Sequence, residues 1–140
     1  MLYFAYGSNM DHSQMRNRCP ESKYLGRAHL KDYRFVYDGY SSTRKGPVAN
    51  VVPMANGTVW GGLFEISKSD RDELDRYEGY PTVYQRKVVT VVDQNGKDRE
   101  AIVYLRDALK TGVPSKEYRD VILQGAKDCD LPAGYIERSI

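Results

Sequence analysis

Cysteine and histidine are scarce, limited to Cys19, Cys129, His12 and His29. The cysteines form no Cys-x-x-Cys pair, so the chain is not built on a disulfide scaffold, although one Cys19–Cys129 bond stays open from sequence. Four soft ligands scattered this widely do not suggest a structural zinc site. Long apolar runs are missing too. Met1–Tyr6 is apolar but short and lacks a basic leader, so it reads as a first strand. No stretch approaches the roughly 18 residues needed to cross a bilayer. Charge of one sign is also absent: Lys+Arg 21 against Asp+Glu 19 leaves +2, which points to neither a nucleic-acid nor a membrane partner. Nucleotide loops fail in detail. The segment Gly39–Gly46 places Arg44 where a phosphate-binding loop needs its second glycine, and no G-x-G-x-x-G follows a strand. An enzyme of this composition is expected to be cytoplasmic and to work without nucleotide, metal or flavin cofactor.

Tyrosine, by contrast, is abundant: 12 against 3 Phe and 1 Trp. A buried tyrosine brings apolar bulk with a hydroxyl that needs a partner. Such an interior is partly polar, as around a lined pocket; alternatively, the tyrosines tile strands and turns.

With no repeat, low-complexity tract or linker, residues 1–140 read as one domain. A strand over 2–6 stops at Gly7-Ser8-Asn9, and Asp11 caps a helix over 12–18 that ends at Cys19-Pro20. Strands are expected near 23–29, 33–38, 48–54 and 58–66. Within the second, Tyr33, Phe35 and Tyr37 alternate with Arg34, Val36 and Asp38, as in a half-exposed strand. Ser67–Glu73 is rich in capping side chains and begins a helix that runs to Tyr77 or Glu78 and stops at Gly79. Residues 83–92 and 99–106 form a hairpin across Asp93–Lys97, with its Asn-Gly turn signal. Ser115 opens a last long helix, interrupted at Leu131-Pro132. The pattern predicts an α+β fold, with a mostly antiparallel sheet curved into a barrel and helices against it.

Three constellations can carry chemistry. Tyr6-Gly7-Ser8-Asn9 joins a buried strand to a helix and leaves backbone N–H groups free, able to cradle a carboxylate or an oxyanion. An ordinary turn with Asn9 as helix cap is the alternative. Glu78 shares a helix face with Leu74 and Tyr77, which draws it inward, and it sits in the last turn, where the dipole disfavours negative charge. Both effects raise its pKa toward neutrality, as suits a proton carrier; a glutamate curling into solvent is the alternative. Tyr6, Tyr80, Tyr84, Tyr104 and Tyr118 are the third set, able to line such a pocket. His12 with Cys19 is a weaker, Cys–His alternative. Arg16, Asn17, Arg18, Arg44 and Lys45 read as solvated surface, with contact to an anionic substrate as the alternative.

Tyr3-Phe4-Ala5-Tyr6-Gly7-Ser8-Asn9-Met10 together with Leu74-Asp75-Arg76-Tyr77-Glu78-Gly79 resembles the γ-glutamylcyclotransferase family. Ser115–Tyr118, Gly125–Lys127, Leu131-Pro132 and Val59-Trp60-Gly61 extend the resemblance over almost the whole chain. It implies a small mixed, mostly antiparallel β-barrel flanked by helices, with a pocket at one end. It further implies conversion of a small γ-glutamyl substrate to 5-oxoproline and a free amino acid or amine, without cofactor or metal. The Tyr3–Asn9 block (Tyr3, Tyr6, Gly7, Ser8 and Asn9) would hold the γ-glutamyl group, Glu78 would be the acid–base residue, and Tyr84 and Tyr118 would line the same site. The family includes dimers, so the resemblance admits a homodimer. Gly-Ser-Asn, where γ-glutamylamine cyclotransferases resemble Gly-Thr-Leu, favours γ-glutamyl amino acids as substrates. A γ-glutamylamine-specific relative, or a γ-glutamyl binding protein without turnover, is the alternative.

Overall fold

The computed structural model describes residues 1–140. Five strands, β1 (Leu2–Ala5), β2 (Lys23–Ser41), β3 (Gly46–Glu65), β4 (Gln85–Asp93) and β5 (Asp98–Leu105), close into a barrel in the order β1-β3-β2-β4-β5. All pairings are antiparallel except β1 with β5, which is parallel and closes the barrel. Four helices flank it: α1 (His12–Arg18), α2 (Lys68–Glu78), α3 (Lys116–Asp128) and α4 (Ala133–Ser139). No helix is long and apolar enough to cross a membrane.

The four strands expected between residues 23 and 66 are two. β2 and β3 are single long strands, and the breaks read from sequence are irregularities inside one ribbon. Asp32 and Asn56 take positive φ (67° and 64°) where the register shifts between Lys31 and Tyr33. Asp and Asn tolerate this conformation, and the Asp32 carboxylate accepts the Asn56 N–H at 3.0 Å. The ribbon therefore continues to a tip at Ser41–Gly46, long enough to carry Arg44 over the end of the barrel. The alternation expected at 33–38 also fails, because Phe35, Val36 and Asp38 are all buried. Residues 106–112 cover the second face, with Leu109 N–H donating to the Asp38 carboxylate at 3.0 Å and Gly112 N–H to the Tyr37 carbonyl at 3.2 Å.

Phe4, Ala28, Val51, Val59, Leu63, Val91 and Val103 lie fully buried in the core. Met10, Met15, Ile122 and Ala126 extend it under α1 and α3. α3 crosses the turn after β1 at backbone contact: a Cβ on Gly125 would lie 2.5 Å from Asp11 N and 2.6 Å from the Met10 carbonyl carbon. Neither backbone atom can yield cheaply. Gly125→Ala is therefore expected to cost about 1–3 kcal/mol, the range for an overpacked contact. A shift in the urea midpoint checks this, and an unchanged midpoint would show that the helix can ride outward freely.

Candidate active site

The turn after β1 is built by two hydrogen bonds, Met10 N–H to the Gly7 carbonyl and Asp11 N–H to the Ser8 carbonyl, both 3.0 Å. Gly7 lies outside every helix and strand, and its N–H makes none of the loop hydrogen bonds. Ser8 and Asn9 occupy the first positions of a short 3-10 turn, where N–H groups have no intrahelical acceptor. A Cβ on Gly7 would sit 3.1 Å from Ala49 Cβ, so glycine keeps this entrance open. Asn9 caps nothing; Asp11 caps α1, accepting the Gln14 N–H at 2.9 Å. Asn9 instead donates to the Tyr3 hydroxyl at 3.0 Å and accepts from Gln14 and Arg18.

Glu78 is the last residue of α2. The helix starts in a Ser67–Asp70 capping box and stops at Gly79 in the left-handed conformation (φ 67°). Asp75, one turn before Glu78, pins this end to the barrel: it accepts from the Tyr104 hydroxyl at 2.6 Å and pairs with Arg86. Leu74 is fully buried on the same face, but Tyr77 is 52% exposed and stacks under Arg18 at 4.2 Å, so it does not help draw Glu78 inward.

These elements meet in a small recess at one end of the barrel. Tyr3, Tyr6, Gly7, Ser8 and Asn9 line it together with Ala49, Glu78, Tyr84, Tyr104 and Tyr118. All eight residues singled out by the resemblance thus face one space. Tyr104 joins them, while Tyr80 lies outside, packed under Arg86 at 4.3 Å.

The hydroxyls divide by how their protons are used. Tyr6 donates to the Tyr104 carbonyl at 2.5 Å and Tyr84 to the Ala49 carbonyl at 2.7 Å, so each offers lone pairs only. Tyr118 accepts the Ala49 N–H at 2.9 Å and Tyr3 accepts from Asn9, so each keeps its proton to give. Among these four hydroxyls two are free to donate and two only to accept, and no cation lines the recess. Burial raises the pKa of all four phenols, Tyr118 to about 12, and they stay neutral at working pH.

The Glu78 carboxylate accepts no hydrogen bond from the protein, unlike those of Asp38, Asp70 and Asp75. Burial pushes its carboxyl up to about 7, against the opposing pull of Arg18, Arg106 and Arg44. These three arginines line a wider groove of about 670 Å³ that shares Ser8, Glu78, Tyr84 and Tyr118 with the recess. Arg106 is held by the buried Asp38 and lies over the Tyr84 ring at 4.8 Å.

The family model described as AIG2-like family matches residues 58–138. The γ-glutamylcyclotransferase of Homo sapiens is 32% identical over 142 residues, covering 98% of this chain and 76% of the human one. The chain belongs to the γ-glutamylcyclotransferase family. The enzyme of that name from Bos taurus is also 32% identical, over 96% of this chain and 74% of its own. A solved structure described as a γ-glutamyl cyclotransferase superposes with a TM-score of 0.93 at 31% identity, over 99% of this chain and 85% of that one. The closed mixed barrel with flanking helices is therefore the architecture of the γ-glutamylcyclotransferase family, as the sequence resemblance implied.

Two readings are corrected by the structure. Arg16, Asn17 and Lys45 are exposed, but Arg18 and Arg44 are half-buried at the groove. The Cys–His reading fails because Cys19 is fully buried and directs its thiol to the Asp70 carbonyl at 3.6 Å, with its pKa pushed up to about 12 by burial. The sulfur near His12 is that of Cys129, 3.8 Å from Nε2, likewise buried and also raised to about 12. Neither thiol is poised as a nucleophile, and both are free. No group of three or more His, Cys, Asp or Glu converges as metal ligands would. Ala49 and Arg106 had no sequence signal: Ala49 acts through its backbone, and Arg106 is placed by a partner 68 residues away.

Proposed function

We propose that this chain is an intramolecular cyclotransferase that converts γ-glutamyl amino acids to 5-oxoproline and the free amino acid, with Glu78 as acid and base. The observation that carries this reading is a carboxyl raised to about 7, free of protein hydrogen bonds, facing the same recess as the open Gly7–Ser8 amides. The substrate's α-amine attacks its own γ-carbonyl carbon. A new C–N bond closes the five-membered ring, and the old amide C–N bond breaks. Nucleophile and electrophile belong to one molecule, so the protein's task is to hold the folded conformer. Tyrosine hydroxyls of both polarities suit that task, because the glutamyl end carries an ammonium and a carboxylate. Glu78 takes one proton from the α-ammonium group before attack and returns it to the departing nitrogen, and the attacking nitrogen sheds its second proton to solvent as it becomes the ring amide. The Gly7 and Ser8 amides stabilise charge that develops on the γ-oxygen.

The base must be ionised in the free enzyme. With a pKa near 7, kcat/KM for 5-oxoproline release from γ-glutamyl-alanine is expected to fall about tenfold per unit as pH drops below that value. An acid limb that begins only near 4.5, the ordinary glutamate value, would show that the raised carboxyl is not the base.

A further inference from the structure

The groove outside the recess is lined by four arginines, and two of them form no ion pair. Arg106 is matched by Asp38 and Arg76 by Glu73. Arg18 and Arg44 have no carboxylate within ion-pair distance, yet both are half-buried. Burial lowers the Arg44 pKa, with the Arg18 charge adding to the effect and Tyr118 and Glu78 opposing it. Glu78 is near enough for both guanidiniums to pull its pKa down, yet it pairs with neither, so the two cations stay open to a further anion.

Both guanidiniums are held in place. Arg18 Nη1 donates to Asn9 Oδ1 at 3.2 Å and Arg44 Nη2 to Gln14 Oε1 at 3.0 Å. Gln14 in turn donates to Ser8 Oγ and Asn9 Oδ1, each at 2.9 Å. Aromatic faces support both cations, Tyr77 under Arg18 at 4.2 Å and Tyr118 under Arg44 at 5.1 Å. One bond each leaves most of the five guanidinium N–H groups unspent. The pair is therefore moored to the same Ser8–Asn9 turn whose amides face the recess.

Position then decides which part of a substrate they meet. Ser8 and Glu78 line both the recess and the groove, so the reacting amide lies at their boundary. The glutamyl end occupies the recess, which holds neutral hydroxyls and no cation. The leaving group projects into the groove, past Arg18 and Arg44. We infer that Arg18 and Arg44, moored by Gln14 and Asn9 to the turn, form a carboxylate-binding subsite for the leaving group, selecting γ-glutamyl compounds whose departing amine carries a free carboxylate. This rests on the proposed function for the placement of the reacting bond. A guanidinium fork matches a carboxylate in two-point geometry, which a neutral amide cannot exploit.

The test compares γ-glutamyl-alanine with γ-glutamyl-alaninamide, which differ only in that charge, on the wild type, R44Q and R18Q. A charge-assisted hydrogen bond contributes enough for about a 10–100-fold preference for the acid in wild-type kcat/KM. Either substitution is expected to collapse that ratio toward one, with R44K intermediate. Two variants at separate segments guard against one that fails to fold. A wild-type ratio near one would overturn the subsite. Equal losses on both compounds would do so too, because they place the arginine on the glutamyl carboxylate that the two share. If neither compound yields 5-oxoproline, the proposed function fails separately, and calorimetric binding still reads the subsite. Tighter wild-type binding of the acid, lost in R44Q, supports it; equal binding of the two compounds overturns it.

Discussion

Glu78→Gln is expected to lower kcat by about 10²–10⁴-fold, the usual contribution of a positioned acid–base group, while making the protein more stable above neutral pH. The two effects share one cause. The Glu78 carboxyl sits at about 7 in the folded chain and at 4.5 when solvated. A raised acid favours folding while it stays protonated, so its contribution is complete below 4.5 and is lost as pH climbs through 7. Above that, the folded protein carries an ionised, desolvated carboxylate at a cost of about 1–3 kcal/mol. Glutamine keeps the shape and removes the charge. Denaturant midpoints at pH 8 should therefore favour the variant by that amount, and midpoints at pH 4 should coincide. Full turnover in the variant, or a variant less stable at pH 8, would remove Glu78 from the mechanism.

Asp38→Ala is expected to cost about 3–5 kcal/mol, a large part of the 5–15 kcal/mol that holds a typical domain folded. Asp38 is fully buried. Its carboxylate pairs with Arg106 and accepts from Asn50 Nδ2 at 3.2 Å and Leu109 N–H at 3.0 Å. Removing it leaves the Arg106 guanidinium, a side chain 11% exposed, without its counterion. Arg106 also covers Tyr84 and lies beside Glu78, so whatever folds should have an altered acid limb as well. Pairing Asp38→Ala with Arg106→Met should recover part of the loss, because no charge is then stranded. Urea titration of both variants reads this directly, and a single-variant loss below about 1 kcal/mol would mean that the network is solvated.

Local signals were legible where one side chain governs one turn. Asp11, Ser67 and Ser115 cap α1, α2 and α3 as their chemistry suggests. The Asp93–Lys97 turn closes with Asp93 accepting from both Asn95 and Lys97. The Gly7–Asn9 turn and Glu78 could be singled out because strand end and helix end are both written locally. What was not legible depends on distant partners. Asp32 and Asn56 read as breaks, yet they stabilise each other across the ribbon and let it run through. Asp38 read as solvent-facing because nothing nearby announces that residues 106–112 fold over it. Arg18 and Arg44 read as surface because their company (Gln14, Asn9, Tyr77 and Tyr118) comes from four separate segments. Periodicity also misplaced Tyr77, whose ring is held outward by Arg18.

Ring closure by the substrate's own amine is the step on which everything else depends, and product identity tests it most directly. γ-Glutamyl-alanine incubated with the purified protein should yield 5-oxoproline and alanine in equal amounts, with no free glutamate, when the products are resolved by mass spectrometry. Alanine accompanied by glutamate would mean that water, not the α-amine, attacks the γ-carbonyl, and would contradict the cyclotransferase mechanism.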